Sequence, residues 1–77
     1  MSDYLASPAQ IRAARALLNW SQADLANKSG TSRRTLATFE SGTIVSPESL
    51  TSIVVALEGA NIEFIADEEG EGVRINR

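Results

Sequence analysis

The chain of 77 residues contains neither cysteine nor histidine. The absence of cysteine excludes disulfide bonds and thiolate metal sites, and the absence of histidine removes imidazole ligands and the most common general base. The Ser/Lys or carboxylate combinations that remain have no supporting sequence context. We therefore expect a protein that is not an enzyme and that uses no metal or other cofactor.

Long apolar segments are also absent. No apolar run approaches the roughly 18 residues of a membrane span, and the N-terminus has no basic segment followed by an apolar one. These absences predict a cytoplasmic protein without a membrane partner. Hydrophobic residues make up 43% of the chain, an ordinary fraction for a folded protein. At this length, a single domain spanning residues 1–77 with a small core is predicted.

Positive charge is scarce, since the net charge is −3. Its distribution is uneven. Residues 1–57 contain five basic and four acidic side chains, whereas residues 58–77 contain two basic and six acidic ones. The local field decides whether phosphates are attracted. The first segment therefore remains compatible with a nucleic-acid partner, and the acidic end would suppress non-specific binding to DNA.

Four helices are predicted between residues 7 and 59 from capping residues and from apolar residues at helical spacing. The residues predicted to cap their N-termini are Ser7, Ser21, Thr31 or Ser32, and Ser46. Those predicted to end the helices are Asn19, Gly30, Gly42 and Gly59. Pro8 fits the first position of helix 1, and Gln10 completes a capping box with Ser7. The predicted apolar positions of this helix are Ile11, Ala14, Leu17 and Leu18.

The remaining segment, residues 60–77, changes to a period of two. The alternating apolar residues are Ile62 and Phe64 before an acidic, glycine-containing turn and Val73 and Ile75 after it, which predicts a β-hairpin. The carboxylates of the turn do not match the spacing of an EF-hand, so they are expected to be solvated. An isolated hairpin is marginal in water, so it must pack on the helices or pair with another chain. Which of these it does is left open at this point.

The most specific motif lies in residues 21–42. It consists of Ser21-Gln22, Leu25-Ala26, Gly30, Ser32, Leu36, Phe39-Glu40 and Gly42. This pattern resembles the helix-turn-helix of the lambda repressor and Cro family, also called the XRE family, and the resemblance covers residues 8 to about 58. It implies a mostly α fold, a lambda repressor-like bundle of four helices, to which this chain adds a C-terminal β-hairpin.

The resemblance also implies that helix 3 enters the major groove of DNA. Gln22 matches a glutamine that clamps a phosphate, and Ser32 matches a capping residue near the DNA backbone. The residues that match groove-facing positions are Arg33, Arg34, Thr35 and Thr38. Physical chemistry agrees with these roles, because arginine offers a fork of donors for guanine O6 and N7. We expect at least one G·C pair per half-site to be read by Arg33 or Arg34.

Two further residues match a structural pair of the same family. Arg15 of helix 1 and Glu40 at the end of helix 3 match an ion pair that ties helix 1 to the DNA-reading unit. Removing one partner of a buried pair is strongly destabilising. We therefore assign these two residues to the fold rather than to DNA contact.

Two functions are compatible with this sequence. The first is a sequence-specific DNA-binding transcriptional regulator, such as a repressor, which acts as a homodimer on a palindromic operator. The residues predicted to dimerise it, through their shared face or through a free strand edge, are Ile62, Phe64, Val73 and Ile75. The alternative is a helix-turn-helix module, such as an antitoxin or an anti-activator, that binds a protein partner, because a fold alone does not fix a function.

Overall fold

A serine side chain begins each of the four helices. In the computed structural model, which describes residues 6–77, these are α1 (Pro8–Leu18), α2 (Gln22–Ser29), α3 (Arg33–Glu40) and α4 (Pro47–Gly59). Each capping hydroxyl accepts a hydrogen bond from the backbone N–H three residues later, and the caps are Ser7, Ser21, Ser32 and Ser46. Ser32 rather than Thr31 is thus the cap of α3. The predicted capping box of α1 is confirmed, since Gln10 Oε1 accepts from the Ser7 N–H at 2.9 Å.

The C-termini of three helices are marked by a residue with positive φ, either at the C-cap itself or two residues after the helix. Asn19 (φ 58°) and Gly30 (φ 71°) adopt the left-handed conformation that ends α1 and α2. Gly59 is the last residue of α4, but the positive φ of that end lies at Asn61 (φ 73°). Asparagine tolerates this conformation better than most side chains do, so a short connection leads directly from α4 to the next element.

The two predicted strands form an antiparallel pair. They are β1 (Ile62–Asp67) and β2 (Gly70–Ile75), with Ile62 opposite Ile75 and Phe64 opposite Val73. Asp67 Oδ1 closes the turn by accepting hydrogen bonds from the backbone N–H groups of Glu69 and Gly70. The fold is the predicted one, with four helices followed by a β-hairpin.

The core lies where all four helices meet, and its large, fully buried side chains are Ile11, Leu25, Leu36, Ile53 and Leu57. Leu17, one of the apolar residues at helical spacing in α1, is 47% exposed. Ile11, Ala14 and Leu18 define the centre of the apolar stripe of this helix, and Leu17 lies at its margin. No helix within residues 6–77 is long and apolar enough to span a bilayer.

The hairpin packs on the helices of its own chain, with β2 against α1 and β1 against α4. Ile62 is only 3% exposed and belongs to the core, and Phe64, Val73 and Ile75 are half-buried against it. The buried amide of Gln10 attaches α1 to both strands, since its Nε2 donates to the carbonyl oxygens of Ile65 (3.0 Å) and Gly72 (2.9 Å). The sequence left open whether the hairpin packs on the helices or pairs with another chain, and its apolar face packs on the helices.

Candidate nucleic-acid interface

The N-terminus of α3 presents two cations to solvent. Arg33 and Arg34 occupy its first two positions, and both are exposed. Ser32 Oγ accepts from the Thr35 N–H at 3.0 Å, so the helix begins at a defined residue. The end of a helix carries a partial positive charge and unpaired N–H groups. The arginines therefore extend a field that already attracts phosphate.

Helical geometry sorts the predicted DNA-contacting residues of α3. Leu36 and Phe39 are buried and define its inner side. At about 100° per residue, Arg34 and Thr38 lie on the opposite, outer side. Arg33 lies about 100° round the helix from Arg34, so it points along one flank. Arg34 and Thr38 consequently share one face, and Arg33 widens it on one side.

Two further residues of this outer face were not predicted from the sequence. Ala37 and Ser41 are exposed, and they lie three positions after Arg34 and Thr38, respectively. The signal was present in their spacing, but neither side chain has a charge that would draw attention to it. A small side chain such as alanine permits close approach to a groove and to a thymine methyl group.

Thr35 takes a different position. It is half-buried, and its hydroxyl accepts a hydrogen bond from Ser32 Oγ at 2.9 Å. It lines a concavity of about 330 Å³ between α3 and the first turns of α4, where Ser49 and the carboxylate Glu48 also lie. Thr35 therefore lies at the margin of the outer surface of α3 that faces α4, one helical turn before Thr38, which is also half-buried. The proximity of Glu48 could not be foreseen, because it depends on how α4 packs.

Gln22 opens α2 and reaches towards the end of α3. Its Nε2 donates a hydrogen bond to Glu40 Oε1 at 3.1 Å. The side chain is half-buried, so part of it remains accessible beside the N-terminus of α2. Ser21 and Asp24 form a reciprocal capping box at the same helix end, with Asp24 Oδ2 accepting from the Ser21 N–H at 2.9 Å. That N–H bond lowers the pKa of the Asp24 carboxyl.

Glu40 is buried and is bound by Arg15 in a two-pronged ion pair. Arg15 Nε donates to Glu40 Oε2 at 2.8 Å, and Arg15 Nη2 donates to Glu40 Oε1 at 2.7 Å. The side chain of Glu40 is 4% exposed and that of Arg15 is 19% exposed. The hydrogen bond to Glu40 raises the pKa of Arg15. The same guanidinium donates to the Trp20 carbonyl at 3.1 Å, so one arginine joins α1, the α1–α2 connection and α3.

The remaining cations near this surface have local partners. Arg12 donates to the backbone carbonyl of Glu40. The Nζ of Lys28 lies 5.6 Å from the centre of the Trp20 ring, within the range of a cation–π contact. Trp20 is half-buried and packs against the core. The Trp20 ring therefore contacts both the core and the side chain of Lys28.

The hairpin contributes its apolar face to the core and its opposite face to solvent. On the outer face, Arg74 Nη2 donates to Glu63 Oε1 at 2.6 Å, which lowers the pKa of the Glu63 carboxyl. No group of three or more carboxylates in residues 6–77 is arranged to hold a metal ion. The structure places the residues predicted to dimerise in or against this chain's own core, and these are Ile62, Phe64, Val73 and Ile75.

Comparison with protein-family models matches residues 11–62 to the helix-turn-helix model HTH_3. The chain belongs to the XRE family of helix-turn-helix proteins. A search of curated proteins found no match. The matched range runs from within α1 to the first residue of β1, so nearly all of the hairpin lies outside it.

Membership of the XRE helix-turn-helix family assigns a general function to this surface. At the level of the family, the protein is a DNA-binding helix-turn-helix regulator. In that fold, α2 and α3 form the helix-turn-helix, and the second of the two is the recognition helix. The exposed face of α3 is therefore the candidate interface for DNA.

Proposed function

We propose that this XRE-family protein is a homodimeric transcriptional regulator that reads a palindromic operator by placing α3 in the major groove. One observation carries the proposal, namely that Arg33 and Arg34 are both exposed at the capped N-terminus of α3. This end can approach base edges while the buried side of the helix holds it in place. Arg34 and Thr38 are the central readers, Arg33 reads from the flank, and Thr35 and Ser32 contact the backbone beside α4.

The test is a selection of bound sequences from a pool of random duplexes. The expected result is an enriched motif with two-fold symmetry, half-sites about one helical turn apart and at least one G·C pair in each half. The affinity for that motif should also fall steeply with salt, with a slope of about −0.9 for every phosphate neutralised. An unenriched pool would contradict sequence-specific reading.

We further propose that the two copies pair through a strand edge of the hairpin. The apolar face of the hairpin packs on the core, which buries Ile62 and leaves Phe64, Val73 and Ile75 half-buried. Within residues 6–77, no backbone hydrogen bond joins another element to the outer edges of the strands, so their outward backbone is the contact we propose for a second chain. Asn76 N–H donates to the Asn61 carbonyl in line with the ladder, and the alternation of an antiparallel pair turns the backbone of Phe64 and of Val73 to the two outer edges.

Amide hydrogen exchange at several protein concentrations tests this edge pairing. The N–H of either Phe64 or Val73 should become protected as the concentration rises, while sedimentation shows the mass doubling from 8.2 kDa. Dimerisation without concentration-dependent protection at either edge would contradict pairing through the hairpin and would show that the dimer contact lies elsewhere.

One observation favours the alternative, a module that binds a protein partner. Ile44 is 92% exposed, and it borders an apolar concavity of about 260 Å³ that is also lined by Phe39, Val45 and Leu50. Exposed apolar patches of this kind commonly mark protein contacts. The salt dependence separates the two functions, because a module that binds only protein shows almost no salt-dependent affinity for duplex DNA.

A further inference from the structure

The chemistry of the contact between Gln22 and Glu40 fixes the orientation of the Gln22 amide. Gln22 carries two N–H donors and one carbonyl acceptor on its side chain, whereas an ionised carboxylate only accepts. Since Gln22 Nε2 lies 3.1 Å from Glu40 Oε1, the amino group of the amide is the end that turns to Glu40. The opposite rotamer of the amide would place two acceptors against each other.

The amide nitrogen of Gln22 has a second N–H. Among the described residues, only Glu40 is a hydrogen-bond partner of this side chain. The side chain is half-buried and stands at the first position of α2, where backbone N–H groups are also unpaired and the helix dipole is positive. The second N–H and the helix end can therefore act on the same phosphate oxygen.

The environment of Glu40 allows its carboxylate to orient the Gln22 amide without repelling DNA. It is buried, and the bidentate contact with Arg15 both fixes its two oxygens and compensates its charge. The burial of Glu40 also keeps it from touching DNA directly. Its carboxylate can therefore affect a DNA contact only through its neighbours, and Gln22 is the neighbour that stands at the N-terminus of α2.

We infer that Glu40 is a positioning residue for phosphate binding, because it locks the Gln22 amide with one N–H on Glu40 and the other directed at the DNA backbone. The inference rests on the proposed DNA-binding function. It extends the role of the Arg15–Glu40 pair from holding helices together to orienting a DNA contact. Without Glu40, the Gln22 amide rotates freely and presents its carbonyl oxygen to the phosphate for part of the time.

A double-mutant cycle with Gln22→Ala and Glu40→Gln tests this role. The probe is a duplex that carries the motif enriched by selection, and the readout is Kd as a function of salt. Gln22→Ala should raise Kd about tenfold, as expected for loss of a hydrogen bond to a charged group. Glu40→Gln should raise Kd several-fold with Gln22 present and should have no further effect once Gln22 is alanine. The ratio of affinities for matched and mismatched bases should stay unchanged in all three variants.

Independent effects of the two substitutions would overturn the inference, because a merely structural Glu40 weakens binding whether or not Gln22 is present. Circular dichroism of each variant shows whether it is folded. If Glu40→Gln does not fold, the side-chain ¹⁵N–¹H signals of Gln22 in the unmodified, DNA-free protein decide the matter. One of its two Nε2 protons should be shifted and slow to exchange, and signals like those of a free glutamine would overturn the inference. Absence of any salt-dependent DNA binding would instead defeat the proposed function, while these signals could still be measured.

Discussion

Gln10 and Gly72 are joined by a hydrogen bond of 2.9 Å from the side-chain amide in α1 to the backbone carbonyl in β2. Gln10 is 2% exposed, and the same nitrogen also donates to Ile65, while the amide oxygen accepts from Ser7. Every polar atom of this buried side chain is therefore used. The hairpin is thus attached to the bundle by polar as well as apolar contacts.

Gln10→Leu should lower the free energy of unfolding by about 2 kcal/mol, because it removes two hydrogen bonds to the hairpin and one half of a capping box. Chemical denaturation followed by the fluorescence of Trp20 measures the change. Asn27→Ala provides the control, since Asn27 is an exposed amide on α2 and should alter stability by less than about 0.5 kcal/mol. Equal effects of the two substitutions would contradict a structural role for Gln10.

Arg15→Met should destabilise the fold by about 3 kcal/mol, because it leaves the carboxylate of Glu40 buried without its cation. The matched control is Arg34→Met, which removes an exposed arginine of the DNA-reading face and should hardly change stability. Replacing both partners, with Arg15→Met and Glu40→Leu, should recover much of the loss, since no unpaired charge then remains. Thermal unfolding of the four proteins distinguishes these outcomes.

Gly30→Ala and Gly59→Ala should change stability in opposite directions. Gly30 has a φ of +71°, and at neither glycine would an added Cβ come within 4 Å of an atom beyond the adjoining backbone. Backbone strain alone should therefore cost about 1–2 kcal/mol at Gly30. Gly59 has an ordinary φ at the end of α4, so alanine there should stabilise by about 0.5–1 kcal/mol. Urea midpoints of the two variants check the signs.

Acid should weaken two local contacts for the same reason. The pKa of Asp24 is lowered by the Ser21 N–H, and that of Glu63 is lowered by Arg74. A group whose pKa is lower in the folded state stabilises the fold above its unfolded pKa, and this contribution is lost as the pH falls through the folded value. The loss therefore begins below roughly pH 4.5 and deepens as acid is added.

Carboxyl chemical shifts measured by NMR between pH 7 and 2 test this prediction. Arg74→Ala should return the midpoint of Glu63 towards its ordinary value and leave that of Asp24 unchanged. Ser21→Ala retains the backbone N–H bond, the main cause of the shift at Asp24, so it should restore that midpoint only in part. An unchanged Glu63 midpoint in Arg74→Ala would show that the ion pair does not form in solution.

Arg34→Ala should reduce discrimination between the matched and mismatched base by about 1–3 kcal/mol at one position of each half-site. Arg33→Ala should reduce this discrimination by a smaller amount, because Arg33 points along the flank of α3. Lys28→Ala is a control for charge alone, since Lys28 lies against Trp20 and should change affinity for all sequences equally. If both arginine variants also weaken all sequences equally, then neither arginine reads bases.

The sequence predicted the parts of the fold that depend on neighbouring residues. The serine caps, the left-handed ends at Asn19 and Gly30, and the two strands all follow from patterns within a few positions. The docking of the hairpin depends on partners that are distant in sequence, so local patterns left its place undecided. The 47% exposure of Leu17 has a related cause, since periodicity defines an apolar stripe but not the width of it that neighbouring elements cover.

The candidate site shows the same division. The exposure of Arg33 and Arg34 follows from their position in α3, but the flank towards which Thr35 turns depends on where α4 lies. The hydrogen bond from Gln22 to Glu40 joins residues 18 positions apart in sequence. Only the packed helices bring those two side chains together, so no spacing rule could have indicated their contact.

The attachment of the hairpin also has a consequence for the order of folding. Gln10 lies 62 positions before its partner Gly72, so its amide finds its buried place only when synthesis has passed residue 72. Contacts between α2 and α3 require far shorter stretches of chain, and contacts of short sequence separation form faster. During synthesis at the ribosome, the DNA-reading helices can therefore meet while one side of α1 still lacks its cover. The bundle gains this cover only when residues 60–77 fold back, with β2 on α1 and β1 on α4.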